Sequence, residues 1–143
     1  GLIAGEGCFT VNVDVRDYGV YLYPAFSMPM HERDKELVQH FMNVLGFGDK
    51  NIHSHRGDMV RFNIQASDDV RKLKKFIDTY SGEIWLSSEK SHNFEVWSKL
   101  LPLAEDGSRA AKVELCEKAK ELNSQEEDNW DEVREAVKSR YDP

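Results

Sequence analysis

Arg61, Asn63 and Gln65 occupy every second position of a short segment whose alternate residues, Val60, Phe62 and Ile64, are apolar. An extended strand sends such residues to opposite faces, so one face would be greasy and the other would carry hydrogen-bonding groups in a row. The same division runs through 8–16, where Cys8, Thr10, Asn12, Asp14 and Arg16 alternate with Phe9, Val11, Val13 and Val15. In the next segment Tyr21, Tyr23 and Ser27 oppose Leu22, Phe26 and Met28, and around 51–56 Asn51, His53 and His55, with Arg56 at the end, oppose Ile52. Arginine pairs with guanine in two hydrogen bonds, and asparagine and glutamine do the same with adenine. Surfaces selected only for solubility favour Lys and Glu, and the polar positions just named hold neither. A twisted antiparallel ribbon fits a DNA major groove. Alternation alone is equally compatible with a plain solvated face, so residue type carries the inference.

The elements that must hold these residues follow from periodicity. Residues 8–16 and 20–28 read as strands joined by the turn Asp17-Tyr18-Gly19, and 51–56 and 59–65 as a second hairpin about Gly57-Asp58. Between them a helix is predicted over 32–45, with Leu37, Phe41, Val44 and Leu45 inward and Gly46 ending it. Ser67 is expected to cap a helix bearing Val70, Leu73, Phe76, Ile77 and Tyr80. Gly82 closes it, 83–87 read as a short extended piece, and Ser91 or Asn93 opens a helix with Phe94, Trp97 and Leu101. Beyond Pro102 the composition shifts. A helix over 109–122 turns Val113, Cys116 and Ala119 inward, and another over 125–140 presents Trp130, Val133 and Val137, with Ser124 and Glu127 as a capping box. Paired strands separated by helices define an α+β domain, an antiparallel sheet with helices on one face. Residues 1–104 form that domain, and 105–143 an acidic helical extension.

The chain has 143 residues, 40% apolar and 31% charged, enough for one domain with a real core. No run approaches the roughly 20 apolar residues of a membrane helix, and no secretory signal is visible. Cys8 and Cys116 are too few and too far apart for a disulfide framework or a metal motif, which fits reduced thiols in an intracellular protein. The net charge of −7 opposes nucleic-acid binding until it is localised. Residues 1–104 hold 12 basic against 14 acidic side chains, whereas 105–143 hold 7 against 12. The acidity therefore sits in the extension, and a near-neutral domain can bind DNA if its cations gather on one face.

Gly1-Leu2-Ile3-Ala4-Gly5-Glu6-Gly7, directly ahead of the first strand, resembles the LAGLIDADG signature from its first glycine onward. Small residues such as Gly1 and Gly5 at helical spacing let two helices approach backbone to backbone. The terminal carboxylate then lies beside its counterpart, an arrangement that requires a divalent cation between them. The resemblance continues in order. Phe26-Ser27-Met28, then His31-Glu32-Arg33-Asp34-Lys35-Glu36-Leu37 entering a helix that ends Leu45-Gly46-Phe47-Gly48, is similar to the family's link from second strand to middle helix. Lys90-Ser91-His92-Asn93-Phe94-Glu95-Val96-Trp97 resembles the basic stretch before its late helix.

The resemblance implies a LAGLIDADG-type domain with a saddle-shaped, four-stranded antiparallel sheet. It implies a homing endonuclease that uses Mg2+ or Mn2+ at Glu6 and Gly5 to cut double-stranded DNA, leaving short 3′ overhangs. Lys90 would stand near the scissile phosphate. One motif in the chain implies a homodimer through the motif helix and a long, near-palindromic target. The runner-up is a non-cleaving relative, an RNA maturase or a retired DNA-binding domain. Two positions depart from the pattern: Ala4 replaces a frequent aspartate that is not the metal ligand, and Met30 stands where a glutamine or other polar residue is common; His31 beside it reads first as a surface histidine near a helix start and only second as a substitute. About two turns of helix expected before Gly1 are absent from this sequence, which fits a longer parent, including one half of a two-motif enzyme.

Overall fold

The computed structural model describes residues 7–44, 46–47, 52–80, 88–122 and 129–141, with backbone only at 41 and 52–56. Gly1 to Glu6, Asn51 and the segment 83–87 lie outside the described residues. Four strands, β1 (Cys8–Arg16), β2 (Gly19–His31), β3 (Ile52–Arg56) and β4 (Met59–Ile64), form one sheet in the order β1-β2-β4-β3. The described helices are α1 (Lys35–Val44), entered through a single 3-10 turn at Glu32–Asp34, then α2 (Ser67–Thr79), α3 (Ser88–Asp106), α4 (Arg109–Ala119) and α5 (Trp130–Arg140). The α+β architecture read from the sequence is the one observed.

The chain forms two compact units. The first comprises Gly1–Cys8 and Phe26–Trp85. Here β4 lies between β2 and β3, antiparallel to both, with Phe26 opposite Ile64, Met28 opposite Phe62 and Ile52 opposite Phe62. Phe26, Met28, Val60, Phe62 and Ile64 are all buried, and Val70, Leu73 and Ile77 of α2 add a buried helical stripe. Gly57 turns the β3–β4 hairpin at φ 51°, a left-handed conformation that side-chain-bearing residues rarely adopt. Gly46 ends α1 at φ 90°, with the Phe47 amide donating back to the Met42 carbonyl at 3.0 Å, the wrap of a Schellman-type stop.

The second unit comprises Phe9–Ala25 and Leu86–Pro143. Trp97 is its anchor: the ring is fully buried 5.2 Å from Phe9, and its Nε1–H donates to the Thr10 carbonyl at 3.1 Å. The hydrogen bond spares the indole the desolvation cost of a buried, unpaired N–H, about 1–3 kcal/mol. Helices α4 and α5 contribute Ala111, Leu115, Cys116, Ala119, Trp130 and Val137 to the core. Neither Cys8 nor Cys116 is in a disulfide, and burial pushes the Cys116 thiol up to about 11, so it stays protonated at neutral pH. Among the described residues no helix is long and apolar enough to cross a membrane.

Several expectations need correction. Among the described side chains of α1, Val38 and Met42 are buried, while Leu37 and Val44 are 70% and 71% exposed; Phe41 and Leu45 of the expected stripe lie outside the described side chains. The sequence offers neighbouring apolar pairs (Leu37 and Val38, Phe41 and Met42), so two offset stripes have helical spacing, and tertiary packing chose the other one. Val15, expected on the apolar face, is 46% exposed. Ser67 is the first residue of α2 rather than its cap; Ala66 occupies the cap position, and Asp68 and Asp69 supply the negative charge that favours a helix N-terminus. Helix α3 opens at Ser88, before Ser91 and Asn93, and continues through Pro102. Proline removes one ladder hydrogen bond there, and the burial of Leu100 and Leu101 on the same turn offsets it. Helix α5 begins at Trp130 with Asn129 as its cap, accepting from the Glu132 amide at 3.2 Å; the expected capping box of Ser124 and Glu127 lies outside the described residues.

The α1 correction has a direct check. Met42→Ala is expected to cost about 2–5 kcal/mol, the range for emptying a buried apolar site. Leu37→Ala should stay within about 0.5 kcal/mol, as exposed substitutions do. Paired denaturant melts decide it, and the reverse order would restore the stripe expected from sequence.

Candidate nucleic-acid interface

In the first unit the polar positions of β4 keep the alternation that the sequence promised. Arg61 and Asn63 are half-buried between the buried Val60, Phe62 and Ile64, and Gln65 is exposed just past the strand. The register places Asn63 opposite Ser27, and Arg61 opposite Pro29 on one side and His53 on the other. Pro29 offers Arg61 no side-chain acceptor. The guanidinium therefore reaches diagonally, and its Nη1–H donates to the Ser27 hydroxyl at 3.2 Å.

That contact changes the role of Ser27. On the sequence reading it was a contact residue on the open face; in the structure it is 5% exposed. Its place in the alternation is right, but a short side chain on an inner strand lies beneath its long neighbour. Ser27 holds the Arg61 guanidinium through this hydrogen bond. Fixing a guanidinium before binding reduces the rotamer entropy lost on recognition.

The third strand breaks its own alternation. A register shift between Ser54 and Arg56 brings Arg56 opposite Met59, so His53 and Arg56 fall at positions opposite polar-face residues of β4, and His55 is the extra residue of the irregularity. Bulges of this kind re-aim a strand end. His31, read either as a substitute for the polar group missing at Met30 or as a surface histidine near a helix start, takes the second of these places. Its Nδ1 accepts from the Arg33 amide at 3.1 Å, capping the 3-10 turn, and its Nε2 lies 3.9 Å from Asp58. Met30 is itself buried opposite Val60.

In the second unit the polar residues of β1 and β2 form a separate group. Asn12 and Tyr23 are exposed, Thr10 and Tyr21 half-buried, and the Thr10 hydroxyl sits 3.5 Å from the Ala25 carbonyl. Asp14, which would repel phosphate, accepts from Arg16 Nε at 2.8 Å, and Arg16 Nη1 donates to the Tyr18 hydroxyl at 3.2 Å. Those two hydrogen bonds and the Asp14 charge raise the Arg16 pKa above its ordinary value. Tyr18, 69% exposed, was passed over in the sequence as a turn residue. An aromatic in a two-strand turn between Asp17 and Gly19 was the available signal, since turns seldom spend a large apolar surface on solvent.

Lys90 lies in the first turn of α3, half-buried, inside a helix instead of in a basic stretch preceding one. Glu6 and Gly5 fall outside the described residues. Among the described residues no group of three or more His, Cys, Asp or Glu is arranged to hold a metal ion.

Comparison with solved structures defines the class. The chain superposes on the crystal structure of a homing endonuclease, I-TnaI, with a TM-score of 0.77 at 20% identity, covering 98% of this chain and 93% of that one. It is similar to the archaeal intron-encoded homing endonuclease I-Vdi141I, complexed with DNA, with a TM-score of 0.79 at 18% identity over 98% and 92% of the two chains. The LAGLIDADG meganuclease I-AabMI, bound to uncleaved DNA, matches at 25% identity and a TM-score of 0.70, with 86% of this chain covering 42% of that protein. The chain thus spans nearly the whole of two of these relatives and less than half of the third. No curated protein sequence matches at a significant level. The sequence profile of the LAGLIDADG endonucleases matches residues 1–101, and the chain belongs to that family.

Arg61→Ala is expected to leave the melting temperature nearly unchanged, since the side chain is half-buried and outside the core. If Arg61 reads a base, it should cost about 1–3 kcal/mol of discrimination at one or two target positions. Selection over randomised DNA, beside a thermal melt, separates these effects. A variant that unfolds, or whose preference is unaltered at every position, would show that this face does not read DNA.

Proposed function

We propose that the protein is a metal-dependent homing endonuclease that cuts a long, near-palindromic DNA site as a homodimer. The observation that carries the reading is the division of β4, with Val60, Phe62 and Ile64 in the core and Arg61 and Asn63 on the other face, the Arg61 guanidinium anchored on Ser27. Family membership gives that face its ligand, because homing endonucleases act on duplex DNA. The sheet's polar positions would lie in the major groove of each half-site and read base edges there.

The catalytic group is Glu6. A carboxylate and a backbone carbonyl from Gly5 are hard oxygen donors, the set that suits Mg2+ or Mn2+. When bound, the cation supplies positive charge at the scissile phosphate and lowers the pKa of water nearby. Glu6 would hold the cation, and the partner's copy of the same acid would face it across the motif helices, with Gly1 and Gly5 permitting the close approach. Lys90 would add positive charge near the phosphate that is cut. The acidic 105–143 extension would stay outside the duplex.

A second reading has one structural observation in its favour. Met30 is buried and apolar where many relatives carry a polar side chain, and His31 is committed to capping. A non-cleaving binder of DNA or intron RNA would tolerate that.

Glu6→Gln separates these readings, because it removes charge and keeps shape. Cleavage of DNA flanking the gene, in Mg2+, should fall at least on the order of a thousandfold, while affinity stays within a few fold, since phosphate and groove contacts carry most of it. Affinity lost along with cleavage would make Glu6 structural, and an unsubstituted protein that binds without cutting would establish the second reading.

Assembly gives an independent check. Gly5→Leu would force the motif helices apart and weaken the dimer by at least an order of magnitude in Kd, read by sedimentation. An unchanged dimer would place the interface elsewhere, and an unsubstituted protein that is monomeric at all concentrations would point to a two-motif parent.

A further inference from the structure

The β1–β2 hairpin is fastened from behind by the end of the chain. Strand β4 pairs with β2 only over Phe26 to His31, which leaves the edge of β2 near Val20 beyond the reach of that ladder. Three side chains take its place. The Tyr141 hydroxyl accepts from the Val20 amide at 3.1 Å and donates to the Val20 carbonyl at 3.1 Å. Lys112 Nζ donates to the same carbonyl at 2.7 Å and to the Tyr141 hydroxyl at 2.6 Å. The phenol therefore uses its one proton and both lone pairs, and stands in for the missing strand neighbour. On the facing strand, Arg140 Nε donates to the Arg16 carbonyl at 2.7 Å.

The clamp is also matched in shape and charge. A Cβ on Gly19 would meet the Tyr141 oxygen at 2.9 Å, so only glycine admits the phenol this close. The Lys112 ammonium lies 4.4 Å from the Tyr141 ring centroid and 5.2 Å from that of Tyr21, in reach of both ring faces. Tyr21 in turn meets Tyr18 edge-on with centroids 6.1 Å apart, and Tyr18 holds Arg16. The result is an exposed arginine and tyrosine at a hairpin tip, backed by half-buried Lys112 and Tyr141.

We infer that Lys112 and Tyr141 are positioning residues for sequence recognition: by fixing Val20 they set where the hairpin tip presents Arg16 and Tyr18 to the outer base pairs of a half-site. The acidic C-terminal extension thereby acts on readout without touching DNA. This rests on the DNA-recognition reading above. A hairpin free to pivot would still offer the same side chains, but a displacement on the order of 1 Å is enough to lose a paired hydrogen-bond geometry.

Tyr141→Phe removes the hydroxyl alone. Amide hydrogen exchange should show Val20 exchanging on the order of fivefold faster, the scale of one lost hydrogen bond. Selection over randomised sites should show discrimination at one or two outer positions falling on the order of tenfold, at the positions that Arg16→Ala also relaxes, while positions read through Arg61 keep theirs. Lys112→Met should reproduce the pattern, and carries the comparison if Tyr141→Phe folds poorly. Faster exchange with outer preference intact would overturn the inference and leave the clamp a stability device, as would unchanged exchange. An unsubstituted protein with no site preference at all would instead sink the DNA-recognition reading, and the inference with it.

Discussion

The two-residue period of β4 is the constraint on which the rest depends. Val60, Phe62 and Ile64 must be buried together or exposed together, because shifting the register by one residue exchanges the faces of the whole strand. Burying three large apolar side chains is worth several kcal/mol on the scale of about 1.5–3 kcal/mol each, far more than any polar contact on the other side. Core packing therefore decides where Arg61 and Asn63 go, and the polar face follows from the greasy one. The face can then vary in residue type at little cost to stability, which suits a protein whose ligand is a particular base sequence.

Charge is sorted in a similar way. The extension carries most of the net negative charge, and several of its described acids meet neighbouring cations. Arg134 hydrogen-bonds Glu117, Lys120 lies 2.6 Å from Asp131, and Arg134 reaches Asp131 at 3.4 Å, linking α4 to α5. The Arg134 hydrogen bond holds the Glu117 carboxyl below its usual range, and the Lys120 hydrogen bond does the same for Asp131. Exposed pairs add little stability individually. Their consequence is local: Glu117 and Asp131 meet cations of the adjacent helix instead of presenting unpaired acidic surface.

Much of this was legible because strands reveal themselves by alternation. Phe9 and Val11 in β1, Leu22, Phe26 and Met28 in β2 and the whole of β4 were assigned to the correct face from residue order alone. Gly46 and Gly57 marked a helix stop and a hairpin turn, and both have positive φ. The misreadings share a different cause, since each depended on a partner distant in sequence. Nothing near Leu37 distinguishes its stripe from that of Val38, and nothing near Ser27 shows that Arg61 will lie over it. The tie between Val20 and Tyr141 joins residues at opposite ends of the chain. The shift between Ser54 and Arg56 is likewise a property of the β3–β4 pair.

The central claim is that the sheet's polar positions read bases through the major groove, and methylation interference tests it on the groove itself. Dimethyl sulfate marks guanine at N7 in the major groove and adenine at N3 in the minor groove. Binding should be blocked by N7 methylation at guanines in two symmetric clusters, one per half-site, and should tolerate N3 methylation within those clusters. Interference confined to adenine N3, or absent at every guanine of a site the protein demonstrably prefers, would contradict the account.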